Sequence, residues 1–144
     1  MIRFILSTLA LLATAFLAFI IEGGNPAALI LPSPFIIVVC IPAFALLAVW
    51  SLKDWGRAWK DAFAKAGPSP SAATSAAIWD FFEKTCYIAG IVGFLLGLTI
   101  IFSSAYDPSK IIVSLGVDVI APILAILFAM VARILRARVE RTMS

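Results

Sequence analysis

Four stretches of this chain, 4–21, 31–52, 85–106 and 109–132, are almost free of charge, and that pattern leaves little choice of fold. A segment needs about 20 apolar residues to cross about 30 Å of hydrocarbon. Lipid offers no water to pair with backbone groups, so each such segment must be helical. The expectation is an all-α integral membrane protein with four transmembrane helices, forming a single membrane domain over 1–144. Composition agrees, because 13% of residues are charged and 63% are hydrophobic, where a water-soluble domain is about a quarter charged. A chain of 144 residues cannot hide that much apolar surface in its own core, since small domains bury a low fraction of their surface. Membrane lipid must cover the rest.

The joints fit these spans. Glu22-Gly23-Gly24-Asn25-Pro26 reads as a tight turn between the first two. Ser33 before Pro34 reads as an N-cap followed by proline at the first helical position, and Asp107 before Pro108 repeats the device ahead of the fourth span. Pro42 and Pro122 fall inside spans, where each removes a backbone hydrogen bond and should bend its helix.

Charge sets the orientation. Arg3 precedes the first span. Lys53, Arg57, Lys60, Lys65 and Lys84 separate the second from the third, and Arg133, Arg136, Arg138 and Arg141 follow the fourth. Only Lys110 of the 11 basic residues lies on the other side. The positive-inside rule then makes both termini and segment 53–84 cytoplasmic. Arg3, the apolar run after it and Ala13-Thr14-Ala15 also fit a cleavable signal peptide. Cleavage would leave three spans with the same orientation, so charge does not decide between the two.

Segment 53–84 reads as a cytoplasmic amphipathic loop. From Trp50 to Ala66, Leu52, Trp55, Trp59, Ala62 and Phe63 share one helical face, and Lys53, Asp54, Arg57, Lys60, Asp61 and Lys65 the other. Tryptophan and basic residues beside a span suit a helix lying among lipid headgroups. They equally suit the cytoplasmic end of the second span carrying interfacial anchors. Gly67-Pro68-Ser69-Pro70-Ser71 breaks the pattern, and a helix can resume at Ala72 and run directly into the third span.

Little here can carry chemistry. The net charge of +3 is too small and too scattered for a nucleic-acid footprint. There is no histidine, and Cys40 and Cys86 form no CxxC pair. No metal site, cofactor or enzyme activity is expected. Asp118 stands out as the one carboxylate within a span, roughly 11 Å inside at 1.5 Å per residue. A carboxylate facing lipid costs about 3 kcal/mol or more, so Asp118 must face protein or water. It is an ion-path candidate, with Ser114, Thr99 and Ser103 as further polar groups. The alternative is a hydrogen-bonded packing residue, with Ser114 one turn earlier as a partner and the other hydroxyls bonded back to their own helices. Gly90, Gly93 and Gly97 form a strip of small residues on the third span, which lets another helix approach closely without saying which.

The segment Ala15-Phe16-Leu17-Ala18-Phe19-Ile20-Ile21-Glu22-Gly23-Gly24-Asn25, continuing through Ala28-Leu29-Ile30, Pro32 and Phe35-Ile36-Ile37-Val38, resembles the first two spans of the MotA/TolQ/ExbB proton channel family, in its flagellar stator (MotA) branch. Gly90-Ile91-Val92-Gly93-Phe94-Leu95-Leu96-Gly97-Leu98, then Asp107-Pro108 and the fourth span, look like that branch's third and fourth spans. Four departures are visible. Phe94 follows Gly93 where the family has threonine or alanine. Ala121 and Pro122 occupy the region of a threonine that faces the ion site. Asp118 falls one residue from the glutamate of ExbB-like members. Segment 53–84 is also far shorter than the stator's rotor-facing loop.

The resemblance implies a homo-oligomer, pentameric in that family, around a single-span partner of the MotB or ExbD kind. It implies a bacterial inner membrane location and ion, typically proton, flow coupled to mechanical work. A non-conducting membrane scaffold or accessory protein sharing the fold is the alternative.

Overall fold

The computed structural model describes residues 2–21, 32–64, 70–104, 115 and 118–141. The expected turn at Glu22–Pro26, the Asp107-Pro108 device and Ser114 lie outside them. Among the described residues there are five helices and no strand: α1 (Ile2–Ile21), α2 (Pro32–Val49), α3 (Leu52–Phe63), α4 (Ala72–Ser104) and α5 (Ile120–Glu140). Two segments are each long and apolar enough to cross a bilayer, Ala72–Thr99 and Ile120–Glu140. A third span follows if α2 and α3 are taken together, and Leu6–Ala18 within α1 is apolar but shorter. The fold is therefore all-helical with two or three helices fit to span.

Several boundaries differ from expectation. α2 opens at Pro32, so Ser33 sits inside its first turn instead of capping it. α2 runs on through Pro42, whose side chain is buried. It stops at Val49, not at 52, and the chain turns by 111° into α3. The turn has a local cause. The Ser51 side chain accepts a hydrogen bond from the Asp54 N–H at 3.3 Å, and the Asp54 carboxylate accepts from the Ser51 N–H at 3.3 Å. This reciprocal capping box starts a new helix, so α3 does not continue α2 as one straight helix.

Segment 53–84 is consequently helical over most of its described length. α4 has 33 residues, about 50 Å at 1.5 Å per residue, against about 30 Å of hydrocarbon. Its first turns, up to about Lys84, project beyond the apolar section, as the uninterrupted helix from Ala72 requires. α5 begins at Ile120, with a turn at Val119. Leu115 and Asp118 are helical as well, and the Val119 N–H donates to the Leu115 carbonyl at 3.2 Å, so the turn at Val119 lies three residues before Pro122, where a proline interrupts a helix.

Two buried clusters hold the helices. One joins Val38 of α2 to Ile120, Ala121, Leu124 and Ala125 of α5 in the apolar section. The other gathers Ala58 and Ala62 of α3, Ala72, Ala76, Ile78 and Trp79 of α4, and Ala132, Leu135 and Val139 of α5. Trp79 lies at the centre of the second. Its Nε1 donates to the Ala58 carbonyl at 3.3 Å, and its ring meets Trp59 edge-on at 4.9 Å and Phe82 at 6.2 Å. Burying a side chain of that size contributes about 3 kcal/mol.

Candidate functional site

The glycine strip finds its partner in α5. A Cβ on Gly90 would lie 2.5 Å from the Ala125 Cβ and 3.1 Å from the Pro122 Cα. One on Gly93 would lie 3.0 Å from the Ala121 Cβ and 3.4 Å from Ile37 of α2. One on Gly97 would run into the Asp118 carboxylate. Rising numbers on α4 meet falling numbers on α5, so the two helices are antiparallel and in close backbone contact along the whole strip. Without side chains at 90, 93 and 97, Asp118 can lie flat against α4.

Asp118 also lines a cavity of about 90 Å³ with Pro34 and Ile37 of α2, Gly93, Leu96 and Gly97 of α4, and Ala121 of α5. It is the one ionisable residue in that wall. Its Oδ2 is buried and has no hydrogen-bond partner among the described residues. Pro122 has no N–H, so it cannot donate to the Asp118 carbonyl four residues earlier, as an ordinary helical residue would. The carboxylate belongs to the same residue, one position before the turn at Val119. Water occupies about 30 Å³ per molecule in the liquid, so a space of this size beside a carboxylate has room for it. The arrangement suits a group that exchanges a proton or a small cation with water inside an apolar wall.

The other polar candidates are placed differently. Thr99 is exposed and its hydroxyl donates to the Leu95 carbonyl at 2.8 Å, so it bonds back to its own helix and does not line the cavity. Ser103 lies in α4, with its side chain outside the described residues, as is Ser114. No cluster of three or more His, Cys, Asp or Glu suited to a metal occurs among the described residues.

No family model, curated protein or solved structure matches this chain.

A second polar site went unread in the sequence. Arg136 pairs with Asp80, which also accepts from Lys84 Nζ at 2.6 Å, while Arg136 Nε donates to Glu140 at 2.7 Å. One turn further along α4, Glu83 pairs with Arg133 at 2.8 Å; its side chain is 6% exposed. The Lys84 hydrogen bond and the Arg136 charge hold the Asp80 carboxyl below the usual carboxylate range. The signal was present: acids three apart on α4 answer arginines three apart on α5, in the antiparallel order that the glycine strip continues. These pairs fix the register that seats Asp118 against Gly97.

Proposed function

We propose that this chain is the multi-span subunit of an ion-conducting complex of the MotA/TolQ/ExbB kind in a bacterial inner membrane, with Asp118 on the ion path. The observation that carries the reading is the Asp118 carboxylate, held in an otherwise apolar cavity with one oxygen unpartnered. Charge within a span is costly and is retained chiefly where it pairs, relays protons or lines water. In this reading the chain crosses four times with both termini cytoplasmic. It assembles as a homo-oligomer around a single-span partner, and the short α3 segment replaces a long rotor-facing loop. A proton reaches Asp118 from water in the cavity and leaves along the seam between α4 and its neighbours.

The direct seating of Asp118 on Gly97 favours a second reading, a non-conducting scaffold in which the carboxyl only fixes helix packing. Asp118→Asn separates the two, since it keeps shape and removes the titratable group. The affinity-purified complex, with whatever single-span chain accompanies it, is reconstituted into vesicles carrying a pH-sensitive dye. Loss of at least about tenfold in proton uptake, with unchanged oligomer size, supports conduction at a cost of about 1.4 kcal/mol or more in the barrier. Undiminished uptake, or none in the parent complex, leaves the scaffold reading.

A further inference from the structure

The apolar side of α3 is wider than the surface that α4 and α5 cover. Ala58 and Ala62 are fully buried against them. Next to these alanines around the helix, at 3.6 residues per turn, come Trp59, Leu52 and Phe63, and beyond them Lys60 and Lys53. Leu52 is 68% exposed and Trp59 41%. Asp54 and Asp61 lie on the opposite edge.

Two observations orient this edge. First, α3 leaves α2 at 111°, close to perpendicular, so an α2 that stands across a bilayer lays α3 along its surface. Second, the contacts with α4 are graded. Asp61 accepts from Ser71 at 2.7 Å and from Ser75 at 2.6 Å, at the end of α4 remote from the apolar section. Trp59 meets Trp79, about one turn past Ser75 and two past Ser71, nearer to that section. The Trp59 edge of α3 is therefore turned toward the membrane and the Asp61 edge away from it.

We propose that the Leu52–Trp59 edge of α3, rimmed by Lys53 and Lys60, seats in the anionic headgroup layer of the bilayer that α2 crosses. Tryptophan and leucine sink into the acyl boundary while lysines meet lipid phosphates, the arrangement of an interfacial amphipathic helix. The seat depends on the membrane reading and is independent of ion conduction. It gives α2, α4 and α5 a common platform at the membrane surface.

The test uses the full chain in nanodiscs of phosphatidylcholine with or without phosphatidylglycerol. Leu52→Cys, Trp59→Cys and Arg57→Cys, each combined with Cys40→Ala and Cys86→Ala, carry a nitroxide label. Labels at 52 and 59 are expected to collide with oxygen in preference to a water-soluble nickel chelate. A label at 57 should show the reverse, and 52 and 59 should sit deeper when phosphatidylglycerol is present. Leu52 is exposed and tolerates the label even if position 59 does not. Nickel access at 52 and 59 equal to that at 57 overturns the proposal, as does shielding of both sites from either reagent, which would mean that a protein surface covers them. Equal depth without phosphatidylglycerol overturns its anionic part.

Discussion

A methyl group at position 97 has nowhere to go except into the Asp118 carboxylate. Gly97→Ala should therefore lower stability by about 1–3 kcal/mol, the usual cost of overpacking, read as a drop in thermal midpoint in detergent. Asp118→Ala, which empties the contested space, should recover most of the loss in the double variant, a coupling characteristic of residues in contact. Additive losses would show that the two side chains do not meet. The strip of glycines was legible in the sequence as a demand for close helix approach. Its partner was not, because an apolar helix surface carries no code that distinguishes one neighbour from another. Asp118 was legible as costly, but its cavity depends on Ile37 and Leu96, which look like any other span residues.

At the scale of elements, α4 and α5 are joined by packing in the apolar section and by ion pairs beyond it. Arg133 is the partner that the structure gives the nearly buried Glu83. Arg133→Ala should destabilise the pair of helices by about 1–3 kcal/mol, because it leaves a buried charge uncompensated. The charge exchange Glu83→Arg with Arg133→Glu should restore part of it in a thermal melt. Asp80 adds a pH dependence. Its carboxyl titrates lower in the folded chain than in the unfolded one, so its stabilising contribution is complete above about pH 4. That contribution falls away as acid carries the pH down through the depressed folded value. Asp80→Asn should flatten the acid limb of a stability–pH curve and leave the neutral region nearly level; a change in slope near pH 7 would assign the effect to another group. The amphipathic pattern from Trp50 to Ala66 identified α3 as helical. It could not show that Ala58 and Ala62 would be fully buried while Leu52 stays exposed and Trp59, beside Trp79, stays partly so, since all four lie on one side of the helix.

Across the whole molecule, two or three helices are long and apolar enough to span a bilayer, and α1, α2 and α4 expose large apolar residues, among them Leu17, Ile21, Phe44, Ile91 and Phe102. Long uncharged stretches made the helical, apolar character legible in the sequence, and the distribution of basic residues gives an orientation as an expectation. The sequence was less informative about where helices end. The halt at Val49 rests on a four-residue capping box, and the turn at Val119 on a proline whose effect falls on residues before it. The arrangement rests on both ends of α4 lying on opposite sides of the bilayer. Single cysteines at Arg57, Lys110 and Ser144, in a chain lacking Cys40 and Cys86, can be challenged with a membrane-impermeant maleimide in intact cells and again after permeabilisation. Labelling of position 110 from outside, with 57 and 144 reactive only after permeabilisation, is the expected outcome; labelling of 110 and 144 from the same side would contradict it.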